Sequence, residues 1–246
     1  MTAVSSTLLP PAPPAAFDDG LRHGVQGALG RGAWARLPEA VRARFPEPPR
    51  PADYRGNFEV VRASRLGRVV AFACRLLGSP IVPRTGLNVA ALVRVAPSRE
   101  GVEWTRDYCW PDGEVCRVRS TKVLDPLDGL VERLPARLCM PLKVYEAGGV
   151  LHFVSRGYWF DLGTLPGGRR LRLVLPGWLT PGTTHVAHCD EGDGWFRFTL
   201  AVRHPAFGEV FYQTGRFHAA AASLARARPA QRHSGDDRGV EPDARA

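Results

Sequence analysis

The sequence predicts an α+β fold: two N-terminal helices, then a curled, mainly antiparallel β-sheet of about eight or nine strands, a half-barrel or open barrel. Three observations predict it. The apolar period changes from 3.6 to 2 near Leu87, and turn signals recur at short intervals from there to Phe217. No helical stretch separates the later strands, so neighbours must pair antiparallel, because parallel pairs need long crossovers.

In order along the chain, Trp34, Leu37, Val41 and Phe45 recur at helical steps, and Pro46 ends that helix. A Pro-rich hinge, Phe45 to Pro51, follows. A second helix runs from about Ser64 to Leu77, its apolar face formed by Leu66, Val69, Val70, Ala73, Leu76 and Leu77, and Gly78-Ser79-Pro80 stops it. Val89, Ala91, Val93 and Val95 then alternate with other residues as a strand does. Val102, Trp104, Arg106, Tyr108 and Trp110 share one face of the next strand, with Glu103, Thr105 and Asp107 on the other. Pro111-Asp112-Gly113 turns the chain into Val115–Val123, a hairpin. Further strands read as Leu138–Glu146, Val150–Asp161, Arg170–Leu175, His185–Cys189, Phe196–Arg203 and Glu209–Phe217. Residues 17–221 are expected to form a single domain between a disordered Pro-rich N-terminus, residues 1–16, and a disordered tail, residues 222–246.

Composition excludes several function classes. The longest apolar runs fall far short of the roughly 20 residues of a transmembrane helix, and the N-terminus lacks a secretory pattern, so a cytoplasmic location is expected. Five scattered cysteines with no C-x-x-C pair read as reduced thiols rather than a disulfide framework or zinc ribbon. The net charge of +9 comes almost wholly from arginine, with only Lys122 and Lys143 as lysines. Those arginines are interleaved with acids and form no basic cluster, which argues against nucleic acid. Gly24, Gly27, Gly30 and Gly32 follow no strand, so no dinucleotide fingerprint is present, and no cofactor is expected. On a strand, His185 and His188 point to opposite sides and cannot share a metal ion, and the acids Asp190, Glu191 and Asp193 belong to a turn. Ser120 lacks a nucleophile elbow.

Several short patterns occur in a consistent order. They are Leu37-Pro38 with Val41-Arg42, Gly78-Ser79-Pro80, Glu103-Trp104-Thr105-Arg106, Arg119-Ser120 and Leu130-Val131-Glu132-Arg133. Trp178-Leu179 with Pro181, Phe196-Arg197-Phe198, and Val210-Phe211-Tyr212 with Gly215 complete the series. Together they resemble the bacterial family called domain of unknown function 4166, over roughly residues 34 to 218. The resemblance implies a module often found C-terminal to a saccharopine-dehydrogenase-like NAD(P)-binding domain; this chain is expected either to stand alone or to meet such a partner in trans. The family pattern carries a His where this chain has Phe45 or Pro46, and a Glu near His188; the chain departs at both places.

A curled sheet closed by a helix commonly encloses an apolar ligand. The expected ligand-binding residues are Trp104, Arg106, Tyr108, Ser120, Glu132, Tyr158, Trp178 and Tyr212. Arg106 is the sharpest, since an arginine between tryptophans must stack on them or meet a carboxylate or a ligand anion. The leading expectation is a binding domain for a lipophilic small molecule, with or without an anionic head, that serves an oxidoreductase or biosynthetic pathway. The alternatives are a cofactor-independent isomerase or cyclase, with Glu132, Tyr212 or His152 moving a proton, and an interaction module for a dehydrogenase-like partner.

Overall fold

The computed structural model describes residues 24–65, 67–68 and 82–220. Among the described residues, three short helices, α1 (Gly24–Leu29), α2 (Arg31–Arg36) and α3 (Glu39–Arg42), lead into twelve strands. These are β1 (Ala52–Ala63), β2 (Gly86–Pro97), β3 (Val102–Cys109), β4 (Val115–Asp125), β5 (Gly129–Arg133), β6 (Leu138–Ala147), β7 (Val150–Ser155), β8 (Trp159–Thr164), β9 (Arg170–Val174), β10 (Thr183–Gly192), β11 (Trp195–His204) and β12 (Gly208–Ala219). Every pairing is antiparallel.

The sheet runs β5-β4-β3-β2-β1-β12-β11-β10-β7-β6, and β6 pairs back onto β5. Ten strands therefore close a circle, while β8 and β9 continue from β6 as a ribbon outside it. This corrects the expected open barrel of eight or nine strands. Two strands were hidden. β1 follows a run of prolines, and a bulge between Phe58 and Val60 breaks its period of 2. β5 is only five residues long. The stretch Val150–Asp161, expected as one strand, divides into β7 and β8 at Arg156-Gly157, where Gly157 takes φ 135°. The expected helix from Trp34 to Phe45 divides into α2 and α3 because Leu37 and Pro38 are extended. The second expected helix opens with a helical turn, Arg68 N–H donating to the Ser64 carbonyl at 2.8 Å, and the rest lies outside the described residues, as do residues 1–16 and 222–246.

Closure is uneven. The β5–β6 seam has three pairs, Val131↔Pro141, Glu132↔Met140 and Arg133↔Cys139. Beyond it β6 continues without β5. The helix α1 packs on β5 and β6 and α2 on β6, tied down by Arg36 Nε donating to Glu146 Oε2 at 2.6 Å. After α3, Phe45 enters the barrel end and meets Trp104, Phe153 and His188, with ring centroids 5.7, 5.7 and 5.2 Å away. The helical segment is thus a stopper.

Opposite the seam, β1 and β12 approach closely at two glycines. A Cβ on Gly56 would lie 1.9 Å from the Arg216 carbonyl oxygen, and one on Gly215 2.3 Å from that of Asn57. Gly215→Ala is therefore expected to cost about 1–3 kcal/mol as the strands move apart. Gly32→Ala, in open space on α2, should leave the unfolding midpoint unchanged or raise it. Thermal unfolding of the two variants checks the contrast.

Candidate ligand cavity

The two-residue rhythm of the strands sends alternate side chains into the closed circle. From β3 come Trp104, Arg106 and Tyr108, from β4 Ser120 and Lys122, from β5 Glu132, and from β12 Gln213. They face an apolar wall that includes Met140, Phe153, Val186, Leu200 and Val202. A cavity of about 50 Å³ remains between them. A single water needs roughly 10–15 Å³ on such a measure, so this space has room for a few waters or the head of a small organic molecule. A longer guest must displace adaptable side chains such as Met140.

Burying polar groups is costly unless they are paired, and here most are. Tyr108 Oη donates to Gln213 Oε1 at 2.9 Å, and burial pushes the Tyr108 phenol up to about 12. Lys122 Nζ lies 3.2 Å from Glu132 Oε2. Burial alone would raise the Glu132 carboxyl, but the charges of Lys122 and Arg106 and a hydrogen bond from Ser120 outweigh it and hold Glu132 ionised, below its ordinary range. Arg106, only 8% exposed, has one long hydrogen bond, Nη1 to Ser120 Oγ at 3.4 Å. Its guanidinium carbon sits 5.9 and 5.6 Å from the Trp104 and Phe198 ring centroids. Among the described residues no carboxylate lies within ion-pair distance of Arg106. Among the described residues the cavity wall thus carries two cations and one carboxylate.

His188 is a further ionisable neighbour. Its ring is caged by Phe45, Phe153, Phe196, Phe198 and Trp104, and its Nδ1 is buried with no hydrogen-bond partner among the described residues. Burial, then the positive charges of Arg44, Lys122 and Arg106, drive its pKa well below 6.5, so it is neutral.

The family described as Domain of unknown function (DUF4166) matches residues 37–217. The chain belongs to this family. No curated protein and no solved structure matches the chain. Within this DUF4166 chain, Phe45 and His188, which lie at or beside the two departures read from the sequence, meet edge-on with an interplanar angle of 85°.

Of the eight residues expected to bind a ligand, the structure brings six together: Trp104, Arg106, Tyr108, Ser120, Glu132 and Tyr158. Tyr158 Oη donates to the Gly182 carbonyl at 3.0 Å and lies 2.8 Å from Thr184 Oγ1. Two are elsewhere. Trp178 is 75% exposed on a short turn, Gly177–Leu179. Tyr212 faces outward beneath Arg62, since its neighbour Gln213 takes the inward position on β12. Of the proton-moving candidates, His152 also lies outside, stacked on Tyr145 at 4.7 Å and hydrogen-bonded to His185 at 3.0 Å. His185 and His188 do point to opposite faces of β10.

Lys122 and Gln213 joined the cavity without being anticipated. Lys122 lies two residues after Ser120 and shares its face, so strand alternation could have placed it inside. Gln213 could have been found only by fixing which face of β12 is inward, which Val210-Phe211-Tyr212 leaves ambiguous because consecutive apolar residues hide the alternation.

Proposed function

We propose that the barrel binds a small molecule with an apolar body and an acidic head, the head being held by Arg106 and Lys122. One observation carries this reading: an apolar enclosure whose two buried cations share, among the described residues, a single carboxylate, Glu132. An unmatched buried charge is costly, and an anionic guest relieves it while its body covers aromatic and aliphatic wall. Arg106 offers a guanidinium fork, suited to a carboxylate or sulfonate. The free thiols of Cys109, Cys116, Cys139 and Cys189 suit a reducing, cytoplasmic setting for such a role.

The test is a fluorescence titration with 8-anilinonaphthalene-1-sulfonate, which combines aromatic rings with an anion. Saturable binding is expected, weakened about 10- to 100-fold by Arg106→Met, since hydrogen bonds to charged groups contribute about 1.5–3 kcal/mol. Equal binding by the variant, or none by either protein, overturns the reading.

One further observation favours a docking role beside binding. The β8–β9 ribbon outside the circle exposes Leu162, Leu171, Leu173 and Val174, with Trp178 and Leu179 next in the chain. Adjacent exposed apolar residues mark interaction surfaces. Co-purification with a separately encoded dehydrogenase-like chain, lost on Leu173→Glu, tests that reading; retention by the variant rules the ribbon out.

A further inference from the structure

We infer that Lys122 is a nucleophilic amine that captures a small apolar aldehyde or ketone as a Schiff base inside the barrel. The inference rests on reading the cavity as a ligand site, and adds a covalent chemistry to it.

The chain uses arginine nearly everywhere it needs a cation; its lysines are Lys122 and Lys143. Lys143 is exposed on β6, whereas Lys122 lines the cavity with its side chain 10% exposed. The two residue types differ chemically, because a guanidinium does not deprotonate in proteins and an ammonium does. Nζ of Lys122 lies 5.4 Å from the ring centroids of both Trp104 and Phe153, facing apolar surface rather than water. A carboxylate is within proton-transfer reach, Glu132 Oε2 at 3.2 Å. A buried amine beside a base and near a second cation is the arrangement by which proteins activate lysine toward carbonyl carbon. Burial, only partly opposed by Glu132, and the charge of Arg106 also lower the Lys122 pKa from its ordinary value, which enlarges the neutral fraction.

The step balances within the cavity. The Lys122 ammonium gives a proton to Glu132, and the amine lone pair attacks the carbonyl carbon while the C=O π electrons move to oxygen. Glu132 returns the proton to that oxygen, then accepts one from the new C–N⁺ centre. It delivers that proton to the hydroxyl, which leaves as water while the nitrogen lone pair forms the C=N bond. Ammonium plus carbonyl becomes iminium plus water, with the charge unchanged, so Glu132 remains a counter-ion before and after. Any acid group on the same molecule meets Arg106.

The two-lysine composition makes the test specific. The full chain is incubated with butanal and sodium cyanoborohydride, which reduces any imine to a stable secondary amine, and is then mapped by peptide mass spectrometry. Lys122 is expected to be alkylated about tenfold more than Lys143 despite its burial, as an activated amine should be. Lys122→Arg, which keeps a cation opposite Glu132, should lose that adduct and retain the unfolding midpoint. Label confined to Lys143 and the N-terminal amine overturns the inference. The 8-anilinonaphthalene-1-sulfonate titration run alongside separates the failures: dye bound without a Lys122 adduct removes the covalent chemistry alone, and neither signal removes the ligand site as well. Should Lys122→Arg not fold, the Lys122-to-Lys143 ratio in the unaltered chain still decides.

Discussion

Glu132→Gln is expected to destabilise the barrel by about 3–5 kcal/mol, the usual effect of removing one member of a buried ion pair. The glutamine is nearly isosteric, so packing is preserved and the loss is electrostatic. Arg106 and Lys122 are left in an apolar interior without a counter-charge. Denaturant unfolding should show a lower midpoint with an unchanged slope, since the surface exposed on unfolding is the same. Pairing Glu132→Gln with Lys122→Met removes both charges and should recover much of the loss. The same single substitution should tighten binding of the anionic dye, because both cations become available to it. Stability and affinity then move in opposite directions, which an ion pair with no role beyond holding the fold would not produce.

The second large effect concerns acid. His188 is neutral in the folded protein, its pKa driven well below 6.5 by burial and then by three neighbouring cations, while the unfolded chain protonates it near 6.5. Between those two values the unfolded state binds more protons, so stability falls as the pH falls. The contribution is complete above about pH 6.5 and declines below it by up to about 1.4 kcal/mol per pH unit, until the folded-state pKa is reached. His188→Phe suits the aromatic cage and removes a buried Nδ1 that lacks a partner among the described residues. The variant should therefore be more stable at pH 5.5 and lose less between pH 7 and 5. Burial also lowers His152 and His185, which keep some slope in the variant, so the difference between the two curves isolates His188. Identical slopes in the two proteins would refute the assignment.

The sheet and the inward face of β3 were legible in the sequence because alternation is the physical signature of a half-buried strand. Trp104, Arg106, Tyr108 and Trp110 did prove to be buried together. On β3 the outward residues Thr105 and Asp107 are buried as well, Asp107 by Arg94 and Arg117, yet the alternation of residue types still gave the right side. Legibility failed where long-range geometry decides. Closure depends on β5 meeting β6, which no local pattern encodes, and β1 was masked by its bulge and the preceding prolines. Tyr212 and Trp178 looked like pocket residues by type alone. The register of β12 sends the first outward, and the second sits on a turn beyond the β8–β9 ribbon.

The three-pair seam has a kinetic consequence. One of its members, Pro141, has no N–H to contribute, and two others, Glu132 and Met140, line the enclosed space. The wall is therefore thinnest where the charged interior lies just behind it, and a few broken backbone bonds would connect that interior to solvent while β11 and β12 stay zipped along ten pairs. A guest of the kind proposed would enter and leave by parting of this stitch rather than by free diffusion, so even a weakly held molecule is expected to have a long residence time.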